Sequence, residues 1–283
     1  MDQASRPTRK TLRRAAFYGA ATLLVGVWLM PLLIGLFTSL KSMDEIMANP
    51  VMWLPPKSPK FSNYVEAWNR AGMGRYILNT LIVTVPSVVG TLLVSSLAAF
   101  ALAFYRFRQS KAILILFVAG MLIPFQMLMI PVFRMSNFLG IDDTYGGLIL
   151  FHVAFQLGFC TFFLRNFMKQ IPYSQIEAPR IDGASDFLIY RRIILPLSLS
   201  SLAALGVLEF TWIWNDLLWS LVLLRTDAIK TVTLGLANMQ GEFISSYNLT
   251  ASGSIIAALA PLCVFLFFQR YFIQGLTMGA DKG

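Results

Sequence analysis

The sequence has little of what soluble enzymes and metalloproteins use at their sites. Of its 283 residues, 14 are acidic, two are cysteine and one is histidine. Cys160 and Cys263 both lie in apolar stretches, so they predict neither a disulfide framework nor a metal site. His152 stands alone, and we expect it to be an interhelical residue rather than a ligand. Because no G-x-x-x-x-G-K-[ST] stretch occurs, we expect no ATP site, and we expect no cofactor.

Long apolar stretches dominate what is present. The chain is 57% hydrophobic and 13% charged, and a helix needs about 20 apolar residues to cross a bilayer. Five stretches meet this requirement without a charge, and a sixth contains only Glu209 and Asp216. We therefore predict an all-α polytopic membrane protein with one transmembrane domain over residues 15–273. Its six spans are predicted at 15–39, 76–105, 112–133, 145–165, 197–224 and 250–270, between a basic tail (1–14) and a C-terminal tail (274–283).

The basic residues are distributed unevenly between the two sides of this topology. With the N-terminus inside, the inner segments hold fifteen of the 23 Lys and Arg residues and the outer loops hold eight. Basic residues favour the cytoplasmic side of short loops, so both termini are predicted to be cytoplasmic. The net charge of +9 is then explained by topology and anionic lipid, and it gives no support to nucleic-acid binding.

Turn residues divide the longer connections and the helices. Between the first two spans, Ser62 can cap a short helix that ends near Gly72, within an ordered external segment. Pro86 lies in span two, and Pro124 and Pro131 lie in span three. These prolines allow kinks, which we interpret either as packing curvature or as bending during a conformational cycle.

Span five has polar and aromatic residues at helical spacing. Glu209, Trp212, Asp216 and Trp219 are separated by three, four and three residues, which predicts one helical stripe with Asn215 nearby. Carboxylates accept hydrogen bonds from sugar hydroxyls, and indole rings cover the apolar face of a sugar. Two interpretations stay open. The stripe either lines a translocation path or belongs to an interfacial or intersubunit contact.

A charged loop, residues 168–197, interrupts the apolar stretches on the predicted cytoplasmic side. Pro172 can begin a short helix, Gly183 can end it in a left-handed conformation, and Ser185 can cap a second helix. Apolar residues recur along that second helix at spacings of three and four, and Pro196 follows it. Two short exposed helices predict a compact knob that fits a groove on a partner protein.

The spacing in this loop resembles a known signature. Glu177, Ala178, Gly183, Ile193, Leu195 and Pro196 match the E-A-A, x3, G, x9, I-x-L-P pattern of ABC importer permeases. The stretches FTWIWNDLLWSLVLL and IQGLTMGADKG are similar to the second permease subunit of maltose-type carbohydrate importers. Pro179 stands where that family usually has alanine. A proline inside a helix costs about 3 kcal/mol, so this departure predicts a later start of the first helix, with Pro179 in its first turn.

This resemblance implies a function and a set of partners. It implies an inner-membrane subunit that imports a carbohydrate together with a second permease subunit, two ATPase subunits and an extracytoplasmic binding protein, and that performs no bond chemistry itself. In the loop it implies polar contacts with the ATPase from Glu177, Arg180 and Asp182, and a turn at Gly183. It further implies apolar contacts from Ala184 and Phe187.

Two other functions remain possible from the residues alone. An ion-coupled secondary transporter would have six spans and intramembrane acids, and it would transport without an ATPase. A polytopic membrane enzyme would use Glu209 and Asp216 as an acid and base pair. It would leave the signature over residues 177–196 unexplained.

Overall fold

A computed structural model describes residues 9–49, 51–70, 72–239 and 246–277, and every regular element in these ranges is helical. The prediction of an all-α polytopic protein is confirmed. The α-helices are α1 (Arg9–Leu40), α2 (Met43–Ala48), α3 (Ser62–Arg70), α4 (Met73–Phe104), α5 (Ser110–Met121), α6 (Met129–Leu139), α7 (Tyr145–Met168), α8 (Ser174–Ile181), α9 (Asp186–Ile189), α10 (Leu195–Leu197), α11 (Leu199–Trp214), α12 (Leu218–Leu223), α13 (Val232–Asn238) and α14 (Tyr247–Thr277).

Three shorter turns complete the described helical structure. Two are 3₁₀ turns, at Phe125–Leu128 and Asp227–Ile229, and Tyr190–Ile194 forms a π turn. The chain forms two compact units. The first contains Met1–Ala71 and Asn238–Ile256, and the second contains Gly72–Ala237 and Ala257–Gly283.

Four helical segments of the described chain are long and apolar enough to cross a membrane. They are Ala16–Leu40, Met73–Phe104, Tyr145–Met168 and Tyr247–Tyr271. Two bent pairs raise the number to six: Ser110–Met121 with Phe125–Leu139, bent by 95°, and Asp186–Leu197 with Leu199–Trp214, bent by 73°.

Pro124 lies at the break in the third predicted span. α5 ends at Met121, and the 3₁₀ turn begins at Phe125, directly after Pro124. Proline disfavours helical dihedral angles in the residue before it and offers no N–H to the helix. The break at Pro124 is therefore a sharp bend, larger than packing curvature, whereas Pro86 lies within the unbroken helix α4.

Span five differs from the single helix predicted over residues 197–224. α11 ends at Trp214, and a separate helix, α12, begins at Leu218. Asn215 donates its side-chain amide to the carbonyl of Thr211 at 2.8 Å, and the carboxylate of Asp216 accepts from the N–H groups of Trp219 and Ser220. Asn and Asp side chains compete with the helix for backbone groups, and here they end one helix and begin the next.

The second unit is organised around α4 and α7, which pack along much of their length. Small polar side chains are buried on α4 at spacings of three and four residues: Thr80, Thr84, Ser87, Thr91 and Ser95. Small residues let membrane helices approach closely. A Cβ at Gly90 of α4 would meet Val153 of α7 at 3.0 Å, which shows how close this approach is.

Candidate coupling loop and transport path

The charged loop folds into the two short helices that the sequence predicts. Gly183 follows α8 with a φ of 83°, a left-handed conformation that favours glycine. The hydroxyl of Ser185 accepts a hydrogen bond from the N–H of Leu188 and caps α9. The stop at Gly183 and the cap at Ser185 are both confirmed.

Pro179 lies inside α8, which begins at Ser174. The later start, with Pro179 in the first turn, is wrong. The donor that Pro179 lacks would pair with the carbonyl of Gln175, four residues earlier. Gln175 is an exposed residue of a short surface helix, where water is the partner available to backbone groups that a helix leaves unpaired, and this makes the proline tolerable.

The helical path also continues past the predicted exit at Pro196. The N–H of Leu195 bonds to the carbonyl of Tyr190, which widens the helix to a π turn before Pro196. α10 contains Pro196 and ends at Leu197, and the chain bends there before α11 begins two residues later, at Leu199.

One side of the loop is anchored in the core of the second unit. Ile176, Ile189, Tyr190 and Ile194 are buried with the ends of α4 and α7, in a cluster that includes Met168. The hydroxyl groups of Tyr190 and Ser96 lie 2.7 Å apart, which adds a buried hydrogen bond to this contact. The loop is therefore packed onto the membrane helices.

The other side of the loop exposes large apolar side chains. Ile181 is 80% exposed and Phe187 is 64% exposed, and Tyr173 and Leu188 of the same loop are also exposed. We call Tyr173, Ile181, Phe187 and Leu188 the apolar knob. Of these, sequence reasoning singled out only Phe187 as a contact. Ala184, the other predicted contact, is half-buried against the core cluster.

The charged residues of the loop divide into two groups. Arg180 is held within the chain, because its guanidinium pairs with Asp186 at 2.7 Å and lies 5.6 Å from the ring centre of Tyr105. Glu177, Ala178 and Asp182 are exposed. In the described part of the chain, no hydrogen bond or ion pair occupies the carboxylates of Glu177 and Asp182. The loop therefore presents two free carboxylates beside the apolar knob.

The predicted stripe of span five does not form. Glu209 is fully buried in α11, where the thiol of Cys160 donates to its Oε1 at 3.1 Å. Trp219 is also buried, with its ring centre 3.8 Å from that of Phe151. The prediction of one stripe is wrong because the break at Asn215 leaves Glu209 and Trp212 on α11 and places Trp219 on α12, with Asp216 between the two helices.

Asp216 and His152 approach one another beside this break. His152 is buried in α7, and its Nε2 lies 3.8 Å from Oδ2 of Asp216, too far for a hydrogen bond. That Nε2 has no hydrogen-bond partner in the described ranges. His152 is interhelical, as predicted. The carboxylate of Asp216 instead accepts hydrogen bonds from the first turn of α12.

Trp212 and Asn215 are the two predicted path residues that stay exposed. Trp212 is 44% exposed, and its ring centre lies 5.2 Å from that of Phe159. It lines an open cavity of about 810 Å³ together with α5, the turn at Pro124 and the middle of α7. The cavity is largely apolar and aromatic, with Gln156 among its polar groups. This combination suits the apolar face of a sugar ring.

Asp143 ties the turn before α7 to the chain that follows α12. Its carboxylate accepts from the N–H of Arg225 at 2.7 Å and from the N–H and hydroxyl of Thr226 at 2.9 and 2.6 Å. The hydrogen bonds from Thr226, above all from its hydroxyl, lower the pKa of Asp143. We call this contact the Asp143 clamp.

Known proteins with similar sequences are transport permeases. The chain is 34% identical to the osmoprotective compounds uptake permease protein GgtD of Synechocystis over 98% of this chain and 97% of that protein. It is 40% identical to the alpha-glucoside transport system permease protein AglG of Rhizobium meliloti over 80% of this chain and 61% of that protein.

A solved structure shares the fold. A chain of a bacterial ABC transporter involved in alginate import superposes with a TM-score of 0.79, over 96% of this chain and 100% of that chain, at 23% identity. The model of the family described as binding-protein-dependent transport system inner membrane component matches residues 91–277. The predictions of a permease family and of a transport subunit rather than an enzyme are confirmed. The chain belongs to the family of inner-membrane components of binding-protein-dependent transport systems.

Proposed function

We propose that this chain is one of two dissimilar permease subunits of an ATP-driven carbohydrate importer, and that its loop over residues 168–197 couples it to an ATPase subunit. The main support for the coupling role is that the loop has one buried side and one exposed side. Its inner side is buried against the ends of the membrane helices, while its outer side exposes Ile181 and Phe187. Large exposed apolar patches rimmed by charge are typical of protein interaction sites.

The residues of the loop then have distinct roles in coupling. Glu177 and Asp182 supply exposed carboxylates for basic groups of the ATPase, and the apolar knob fills its cleft. Gly183 sets the turn between the two helices. Arg180 positions the second helix through its pair with Asp186. Movement of the ATPase pushes on the knob, and the buried side transmits that push to α4 and α7.

The orientation of the chain in the membrane follows from the assignment of the loop to an ATPase contact. A loop that meets an ATPase must lie in the cytoplasm, which agrees with the excess of Lys and Arg in the inner segments. Both termini are then cytoplasmic. Residues 1–8 and 278–283 of the two tails lie outside the described residues.

A carbohydrate cargo is supported by one relative and by the cavity. AglG is named for alpha-glucoside transport, and Trp212 with Phe159 forms an aromatic wall beside an open cavity. Trp212 and Asn215 are the path residues that we retain. Glu209 and Trp219 are enclosed within this chain and act as packing residues, and Asp216 caps α12.

The extracytoplasmic partner is a substrate-binding protein. The family is described as binding-protein dependent, and we assign the contact with that protein to the outer connection over residues 225–248. Its residues 240–245 lie outside the described residues. Family membership leaves the ion-coupled transporter and the membrane enzyme without support.

The coupling role is tested with two loop variants in the assembled importer. Glu177→Lys reverses an exposed charge, and Gly183→Val strains a left-handed position. Both variants should insert, and Glu177→Lys should retain its thermal stability, but both should lose ATPase copurification and uptake. Asp44→Lys is the matched control, because it makes the same kind of charge reversal at an exposed residue of α2. Normal ATPase copurification and normal uptake in both loop variants would overturn the assignment.

A further inference from the structure

α3 has a reversed arrangement of polar and apolar residues. Its buried side consists of Asn63 and Ala67. Phe61, at the turn before the helix, and Val65 and Trp68 within it are exposed, at spacings of four and three residues that place them on one face. A helix of a soluble protein buries its apolar face, so this helix needs an apolar surrounding outside the chain.

Hydrogen bonds attach the polar side of α3 to the end of α1. The side-chain amide of Asn63 donates to the carbonyls of Ser39 and Lys41, both at 2.8 Å. The hydroxyl of Tyr64 lies 2.7 Å from that of Ser39, and the N–H of Lys60 donates to the carbonyl of Leu40 at 2.8 Å. These contacts hold α3 at the level of the last turn of α1.

That level is the boundary of the membrane. Ala16–Leu40 has the length and apolar composition of a membrane span, and none of its most apolar stretch is buried by the chain. A span ends where the hydrocarbon core gives way to headgroups. The exposed face of α3 therefore begins where the exposed apolar surface of α1 ends, within the same unit.

A third face of α3 is polar. Ser62 and Asn69 are exposed and Glu66 is half-buried, on the side between the apolar face and the buried face. An apolar face beside a polar face is what a helix that lies in the membrane interface requires. Tryptophan is enriched at that interface, and Trp68 and Trp53 are both exposed here.

We propose that α3 is an interfacial helix that inserts Phe61, Val65 and Trp68 into the headgroup and acyl boundary of the bilayer. Its occupant is lipid, because the face continues the uncovered apolar surface of a membrane span. α3 anchors the end of α1 at a defined depth. This inference does not depend on the coupling role of the loop or on the cargo.

The test places a fluorescent label on each face of α3 in the assembled importer. In a Cys263→Ser background, with Cys160 kept because it is buried, single cysteines replace Phe61, Val65 and Trp68 on the apolar face. Cysteines at Ser62 and Asn69 are the matched controls on the polar edge. Each variant is labelled with bimane and reconstituted in phosphatidylethanolamine and phosphatidylglycerol vesicles. Quenching is measured with a lipid that has a nitroxide near its headgroup and, separately, with aqueous iodide.

Lipid-borne nitroxide should quench the labels at Phe61, Val65 and Trp68 about two- to threefold more strongly than those at Ser62 and Asn69, and iodide should show the reverse order. Stronger iodide quenching at the three apolar positions would overturn the proposal in favour of an exposed helix. Protection of those three positions from both quenchers would overturn it in favour of a protein partner.

Discussion

The loop over residues 168–197 and the broken span over residues 199–223 contain the two sets of candidate residues, and the two regions differ in how far those residues are exposed. In the loop, exposed charged and apolar side chains surround an anchored base, so the surface is available to a partner. In the span, Glu209 and Trp219 are enclosed by the chain's own helices. Polar residues in a membrane helix are therefore not by themselves evidence that the helix lines a transport path.

The largest expected effect is a difference in stability loss between two tryptophan variants of the broken span. Trp219→Ala removes a buried ring packed on Phe151, and we expect it to lower the free energy of unfolding by about 3–5 kcal/mol. Trp212→Ala changes an exposed ring, so it should affect stability far less while raising the half-saturation concentration for uptake. Thermal unfolding in detergent and uptake assays measure the two effects. Equal stability losses would contradict the difference in burial.

A second prediction compares variants of two isoleucines of α8. Ile176 is fully buried and Ile181 is exposed. Ile176→Ala should lower the free energy of unfolding by about 2–5 kcal/mol. Ile181→Asp should leave it within about 0.5 kcal/mol and should abolish ATPase copurification. If Ile181→Asp instead retains the ATPase, the apolar knob is not the contact surface.

A third prediction concerns Glu209. If it is a packing residue, Glu209→Ala should lower the free energy of unfolding by about 1–3 kcal/mol, since it leaves a buried donor without its acceptor. Uptake by the surviving protein should keep its half-saturation concentration. A double-mutant cycle with Cys160→Ala should give a coupling of about 1 kcal/mol between the two side chains. If Glu209→Ala changes the half-saturation concentration for uptake while stability stays normal, Glu209 is a residue of the transport path and not a packing residue.

The smallest effect is expected at the Asp143 clamp, at the far end of the broken span. Its lowered pKa means that the folded protein holds the ionised carboxylate more favourably than the unfolded chain does. The resulting stability is present above the unfolded pKa of about 4 and is lost as pH falls through the lower folded pKa. Asp143→Asn should therefore unfold at a lower temperature than wild type at pH 7, and the difference should shrink in acid. A difference independent of pH would exclude the carboxylate as its cause.

Local chemistry made much of the loop predictable. Gly183 and Ser185 act through their own backbone and side-chain atoms, so a turn and a cap could be assigned without knowing the fold. Pro179 was harder, because its cost depends on whether the freed carbonyl of Gln175 meets water or protein. The exposure of Ile181 required the fold, since an isoleucine next to charged residues has no signal that tells which side it faces.

The broken span shows where periodicity misleads. Spacings of three and four residues predict one stripe only if the helix is continuous. The spacing makes Asn215 and Asp216 candidates either for a translocation path or for an interfacial contact, whereas in the structure their side chains end α11 and begin α12. Polar residues that bind cargo and polar residues that cap a helix are of the same types, so spacing alone cannot distinguish them.

The sequence by itself determined the class of the protein and the signature of the coupling loop, and it predicts the positions of the spans and the orientation. These properties depend on composition over many residues or on backbone preferences of single residues. The tertiary structure alone decided which side chains are covered: Glu209 is buried against Cys160, whereas Ile181 and Trp68 are exposed. Exposure depends on neighbours that are distant in the chain, and no local pattern specifies which of those neighbours cover a side chain.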